Sequence, residues 1–203
     1  MTHIGHSEKV FIMKRLLLIL ILSFSFQTLT KADDIRDFEI EGMSIGDSLL
    51  DFYSKKKINE SLSYIYSSDK YLTAEFLNSV NLKKYDGINI NFLKTDKKMI
   101  IHAIHGLKDY NKIKKCIEDK KDITNDIKQL FTSASINEKN KRKHDHDKSG
   151  KSFTYDTYVE LQSKDFVSIS CYDWSSNSGF DDHLRISIVT KKFMDWINNE
   201  AYN

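Results

Sequence analysis

The sequence predicts an α+β fold in which an antiparallel sheet of about six strands carries helices on one face. Three observations predict it: strand-like alternation occurs in two groups of runs, a long amphipathic helix separates the groups, and helical patterns precede the first group and follow the last. The predicted order is therefore two αβββ halves followed by a C-terminal helix.

Residues 1–32 have the pattern of a secretory signal peptide. A basic segment that begins at Met13 precedes an apolar run at 16–26, and a small-x-small cleavage site follows at 30–32. The apolar run is shorter than the roughly 20 residues that span a membrane. Residues 1–12 are expected to be an upstream extension, although a start at Met1 stays open. We expect a periplasmic or secreted protein.

The mature chain, residues 33–203, is long enough to form one domain with its own core. Its excess of lysine and arginine lies mostly in the signal segment, so the mature chain is close to neutral. Its net charge therefore gives no reason to expect binding to nucleic acid or to an anionic membrane. We expect no nucleic-acid partner and no stable membrane insertion after signal cleavage.

Two cysteines, Cys116 and Cys171, remain in the mature chain. In an oxidising compartment an even cysteine count predicts one disulfide. Its loop of about 55 residues would stabilise the fold by roughly 4 kcal/mol. The alternative, a catalytic cysteine, needs an activating histidine, and none lies near either cysteine in the sequence.

The first element after the signal is a predicted helix that begins at Ser44. Ser44 is a suitable N-cap, and the side chain of Asp47 can complete a capping box by accepting the backbone N–H of Ser44. One face of this helix would carry the apolar residues Ile45, Leu49, Leu50, Phe52 and Tyr53.

The first group of strands is predicted at 70–77, 85–93 and 98–107, with Asn, Asp and Gly marking the turns. An amphipathic helix follows from about 110 to 131, with isoleucines on one face and Lys and Asp on the other.

The second group begins after a segment without periodicity, 134–152, which is expected to be a mobile loop. Strands are predicted at 153–161, 166–172 and 183–190. A last helix begins near Lys191 and presents its aromatic residues to the core.

Two catalytic signatures overlap in the first predicted helix. The G-x-S-x-G letters around Ser44 need a buried strand before them, and the half-charged residues 33–41 cannot form one. The GDSL letters around Ser48 resemble those of the SGNH hydrolases, but the Asp expected three residues before His183 is Phe180. We expect no catalysis and keep an SGNH-like serine esterase that uses Ser48 and His183 as the alternative.

The turn Gly42-Met43-Ser44, followed by Leu49 and Leu50, resembles the SmpA/OmlA outer-membrane assembly proteins and the wider group of β-lactamase-inhibitor-like periplasmic domains. The resemblance implies a small exported domain with helices on an antiparallel sheet. The lipidated cysteine of those lipoproteins is absent, so membrane anchoring is not implied. The whole chain also resembles uncharacterised exported bacterial proteins.

The densest group of possible metal ligands follows His144. Asp145, Asp147, Ser149 and Asp156 fall at positions one, three, five and twelve of a calcium loop. The hydrophobe usual at position eight is missing, and no helix pair flanks the loop. We therefore expect a solvated polar linker, no metal and no cofactor.

Aromatic residues surround a turn-rich loop at 173–182. Tyr172, Trp174 and Phe180 are candidates for a binding lip, with closure of the core as the alternative. Together these observations favour an exported, non-catalytic binding or scaffold protein whose partner is an unknown envelope protein or a small ligand.

Overall fold

The computed structural model describes residues 34–63, 66–78 and 82–202, and the predicted signal peptide lies outside them. These residues form an open antiparallel sheet of eight strands, with three α-helices and two short 3₁₀ turns. The helices are α1 (Lys55–Glu60), α2 (Ile113–Leu130) and α3 (Lys191–Asn199). The strands are β1 (Leu62–Ser63), β2 (Tyr71–Leu77), β3 (Gly87–Leu93), β4 (Ile101–Asp109), β5 (Ser135–Lys143), β6 (Phe153–Glu160), β7 (Phe166–Asp173) and β8 (His183–Val189).

The strands form two meanders of four that meet in the middle of the sheet. Their order is β1-β2-β3-β4-β8-β7-β6-β5, and β4 pairs with β8 in antiparallel register. The predicted fold of six strands in two αβββ halves is therefore wrong, because the protein is richer in strands and poorer in helices. One missed strand, β1, has only two residues and so gives no sequence pattern.

The other missed strand, β5, occupies part of the predicted mobile loop. It pairs with β6 at the edge of the sheet and is interrupted by an irregularity between Lys139 and Arg142. Eight of its nine side chains are exposed, and the ninth, Ile136, is half-buried. Such a strand is held by its backbone hydrogen bonds to β6. Because almost none of its side chains is buried, its sequence shows no hydrophobic periodicity. Its lysines also protect the open edge from pairing with other chains.

The predicted helix from Ser44 is also wrong. Asp47 does accept the backbone N–H of Ser44, but Gly46 has φ +93° and ends any helical path. The segment instead joins the start of β4, where Ile101 accepts from the N–H of Gly46 and donates its own N–H to Asp47. Only a 3₁₀ turn, Leu49–Asp51, follows.

The side that we call the apolar face supplies most of the core. Side chains alternate between the two sides of a strand, so one row across the sheet belongs to one face. A row of this face crosses seven strands as Ala74, Ile90, Ile104, Ile188, Val167, Val159 and Ile136. Helix α1 and the segment before it pack on this row through buried side chains such as Leu49 and Ile58.

The two longer helices lie on opposite faces. Helix α2 packs on the apolar face, where Cys116 forms the predicted disulfide with Cys171 at a Cα–Cα distance of 6.0 Å. Helix α3 packs on the other face. Its residues Phe193 and Trp196 cluster with Ala103. Ala103 precedes Ile104 of the apolar row in β4, so its side chain points to the opposite face. The expectation that all helices share one face is therefore wrong.

Candidate functional site

The side of the sheet opposite to the core is the polar face. Its central row lies one residue away from the apolar row and crosses the strands as Glu75, Asn89, His105, Ser187, Ser168, Tyr158 and Asn137. Asn89, His105 and Ser187 are nevertheless buried. Among the described helices only α3 packs on this face, and it covers one end. Beyond that end, no described helix packs on the polar face.

Arg185 lies near the centre of the polar face. It is on β8, opposite Leu107 of β4 and Ser170 of β7. Its side chain forms no ion pair or hydrogen bond with any described residue, and its Nε is buried without a partner. A desolvated guanidinium nitrogen without an acceptor is costly, so this residue needs an explanation.

Two neutral histidines flank Arg185. Burial lowers the pKa of His105 well below its ordinary value, and the positive charge of Arg185 lowers it further. Burial also lowers the pKa of His183, again with a contribution from Arg185. Both imidazoles therefore act as neutral hydrogen-bonding groups near pH 7.

A hydrogen-bond chain fixes the tautomer of His105. The amide Nδ2 of Asn91 donates to Thr73 Oγ1 at 2.7 Å, which leaves Asn91 Oδ1 to accept from His105 Nε2 at 3.2 Å. The other ring nitrogen, Nδ1, is then an acceptor, and it is buried without a partner. The polar face thus holds an unpaired polar atom on His105 as well as on Arg185.

An aromatic cluster borders the polar face at the end opposite to α3. The three residues of the predicted lip come together here: the rings of Trp174 and Phe180 lie 4.8 Å apart, and those of Tyr172 and Trp174 lie 6.0 Å apart. His183 stacks on Tyr172 at 4.6 Å, and His144 lies 4.4 Å from Trp174. Phe180 is 64% exposed, so the cluster is open to solvent.

The calcium-loop residues do not converge. Arg142 lies between two of them, donating to Asp145 at 2.7 Å and pairing with Asp156 at 3.4 Å. Asp147 accepts the backbone N–H groups of Ser149 and Ser152, so it stabilises the β5–β6 turn. In the described part of the chain no group of three or more His, Cys, Asp or Glu side chains is arranged to hold a metal ion.

The two residues of the esterase alternative lie far apart. Ser48 is bridged to Ile100 before the start of β4, whereas His183 pairs with Asp109 at the end of that strand. Nine residues of extended chain separate the two points by about 30 Å. The Ser48 hydroxyl instead donates to the carbonyl of Lys98 at 2.7 Å. This geometry contains no contact between nucleophile and base.

Comparison with protein-family models, curated proteins and solved structures found no significant match. The resemblance to the SmpA/OmlA proteins therefore stays a prediction. The disulfide is typical of proteins that fold outside the cytoplasm, consistent with the predicted export. None of the described helices is long and apolar enough to cross a membrane.

The sequence reasoning gave no site role to Arg185 or His105. A signal was present, because about half of the polar-face positions of β3, β4, β7 and β8 are Asn, His, Ser or Arg. A face that only meets solvent more often carries Lys and Glu, which are almost never buried. What the sequence lacks is the register that places these residues side by side.

Proposed function

We propose that this chain is a periplasmic or secreted, non-catalytic binding protein that holds a small ligand on its polar face. The observation that carries the proposal is the aromatic cluster at the border of that face. Exposed aromatic rings beside convergent polar groups are the usual composition of a ligand site. The SGNH-like esterase alternative is not supported by the separation of Ser48 from His183.

A small ligand is favoured over an envelope protein as the partner. A stable protein interface buries about 800 Å² on each side and has an apolar centre. Phe180 is the one large apolar side chain of the aromatic cluster that is strongly exposed. The other strongly exposed large apolar residues of the described chain lie on other elements: Leu50, Phe52, Leu77, Leu130 and Tyr202.

The proposal can be tested by crosslinking in the living cell. A photoreactive phenylalanine analogue would replace Phe180, which is 64% exposed, and the matched control would carry it at Leu130, which is 55% exposed at the end of α2. We expect adducts of small mass at position 180 and none at position 130. Protein-sized adducts at position 180 would overturn the small-ligand proposal in favour of an envelope partner. Equal labelling at both positions, or none at 180, would overturn the binding site itself.

A further inference from the structure

We propose that Arg185 is the anion-binding group of the polar face and that the ligand carries a carboxylate or phosphate. This inference rests on the proposed function and names the chemistry of its ligand. It follows from three observations: the other described arginines are paired and Arg185 is not, its direct cross-strand neighbours carry no charge, and the nearest buried carboxylate is already occupied.

The other two arginines of the described chain each have a carboxylate partner. Arg36 pairs with Asp34, and Arg142 pairs with Asp145 and Asp156. Both are more exposed than Arg185, so they need a counter-charge less. The least exposed of these guanidinium groups is thus the one that the protein leaves without an anion.

The surroundings of Arg185 keep it available. Its cross-strand neighbours are Leu107 and Ser170, which carry no charge. The buried carboxylate of Asp156, one strand further, accepts from Thr154 and pairs with Arg142. That carboxylate therefore does not neutralise Arg185.

Two partly buried tyrosines, Tyr66 and Tyr172, lie within electrostatic range of Arg185. Burial raises the pKa of Tyr66 to about 12, and the charge of Arg185 opposes part of this shift, which places the phenol near the guanidinium. Burial likewise raises the pKa of Tyr172, again opposed by Arg185. These side chains lower the local dielectric constant, so an anion at Arg185 would be held more strongly than at an exposed arginine.

The geometry also selects the anion. Nε faces the protein, so the two terminal Nη groups are the available donors. Two parallel N–H groups match the oxygens of a carboxylate or phosphate. The neighbouring aromatic cluster would contact a ring next to that anion, since Tyr172 lies in the adjacent row of β7 and stacks on His183.

The test uses three probes that share a phenyl ring: benzoate, phenyl phosphate and uncharged benzamide. Titrations of the mature protein, followed by NMR shifts, should show binding of one or both anions, weakened by salt, and no binding of benzamide. The ratio of the two anion affinities distinguishes a carboxylate from a phosphate ligand. Arg185→Gln should weaken anion binding by about tenfold or more. Arg36→Gln, at an arginine outside the site, should leave it unchanged.

The melting temperature of Arg185→Gln serves as the control for folding. Arg185→Gln removes a desolvated, unpaired charge, so its melting temperature should equal or exceed that of the parent. Equal anion binding by parent and Arg185→Gln, or equal binding of benzamide, would overturn the inference. A clear fall in melting temperature would show that Arg185 is structural and would overturn it as well. If crosslinking at position 180 succeeds while the anions do not bind, the proposed function stands and this inference fails.

Discussion

The two faces of the sheet are built from the same strands but differ in what they do: one stabilises the fold, and the other carries unpaired polar groups. In β7, Ile169 points to the apolar face and is fully buried, whereas its neighbour Ser170 points to the polar face beside Arg185. The apolar face has helix α2, the disulfide and the N-terminal segment packed on it. The polar face keeps unpaired polar atoms at His105 and Arg185. A shift of one residue thus separates the part that stabilises the fold from the part that is available to a ligand.

The largest expected effect is on the apolar face. The double variant Cys116→Ala/Cys171→Ala removes the link between α2 and β7, and the loss of its long loop constraint should lower the free energy of unfolding by about 4 kcal/mol. Urea unfolding of the parent and the double variant measures this difference. A reductant should destabilise the parent alone. An unchanged urea midpoint would show that packing alone holds α2 on the sheet.

The second effect compares adjacent residues of β7. Ile169→Ala leaves a cavity in the core and should cost about 2–5 kcal/mol, because the removed side chain is completely buried. Ser170→Ala removes a single hydroxyl and should change stability by less than about 1 kcal/mol. Thermal melts measure both.

Anion titrations of the same two variants separate the faces further. Ser170→Ala changes the immediate neighbour of Arg185, so it should alter benzoate or phenyl phosphate affinity more than Ile169→Ala does. If Ile169→Ala altered affinity more, the assignment of ligand binding to the polar face and of stability to the apolar face would be refuted.

The apolar face could be predicted from the sequence and the polar face could not. Alternation located β2 to β4 and β6 to β8, and the helical period located α2, because burial imposes both patterns. Edge strand β5 has almost no buried side chain and so has no such pattern. The first predicted helix failed because backbone bonds to residues far along the chain, such as that between Gly46 and Ile101, outweigh local propensity.

The candidate site follows the same rule. The aromatic lip was predictable because its three residues flank one loop. Arg185 and His105 come from strands 80 residues apart in sequence, and only the pairing of β4 with β8 brings them together. No local pattern encodes that register.

The last expected effect, again on the polar face, is a loss of stability in mild acid. His105 is buried and neutral in the folded chain, and its pKa lies below the ordinary value of 6.5. Below pH 6.5 the unfolded chain therefore binds a proton that the folded chain does not, so stability falls as the pH falls. One such group can contribute at most about 1.4 kcal/mol per pH unit. His183, His102 and His144, whose pKa values burial also lowers, act in the same direction.

Melting temperatures measured between pH 7.5 and about pH 5 separate this effect from the titration of ordinary carboxylates, which lies near pH 4. His105→Gln keeps a group that can donate to Asn91 but cannot be protonated, so its melting temperature should fall less steeply than that of the parent. His146→Gln, at an exposed position of the β5–β6 turn, is the control and should keep the parent slope. Identical slopes for the parent and His105→Gln would mean that protonation of His105 does not lower the stability of the fold in mild acid. The buried polar row would then be a solvated surface, and the contrast between the two faces would reduce to packing alone.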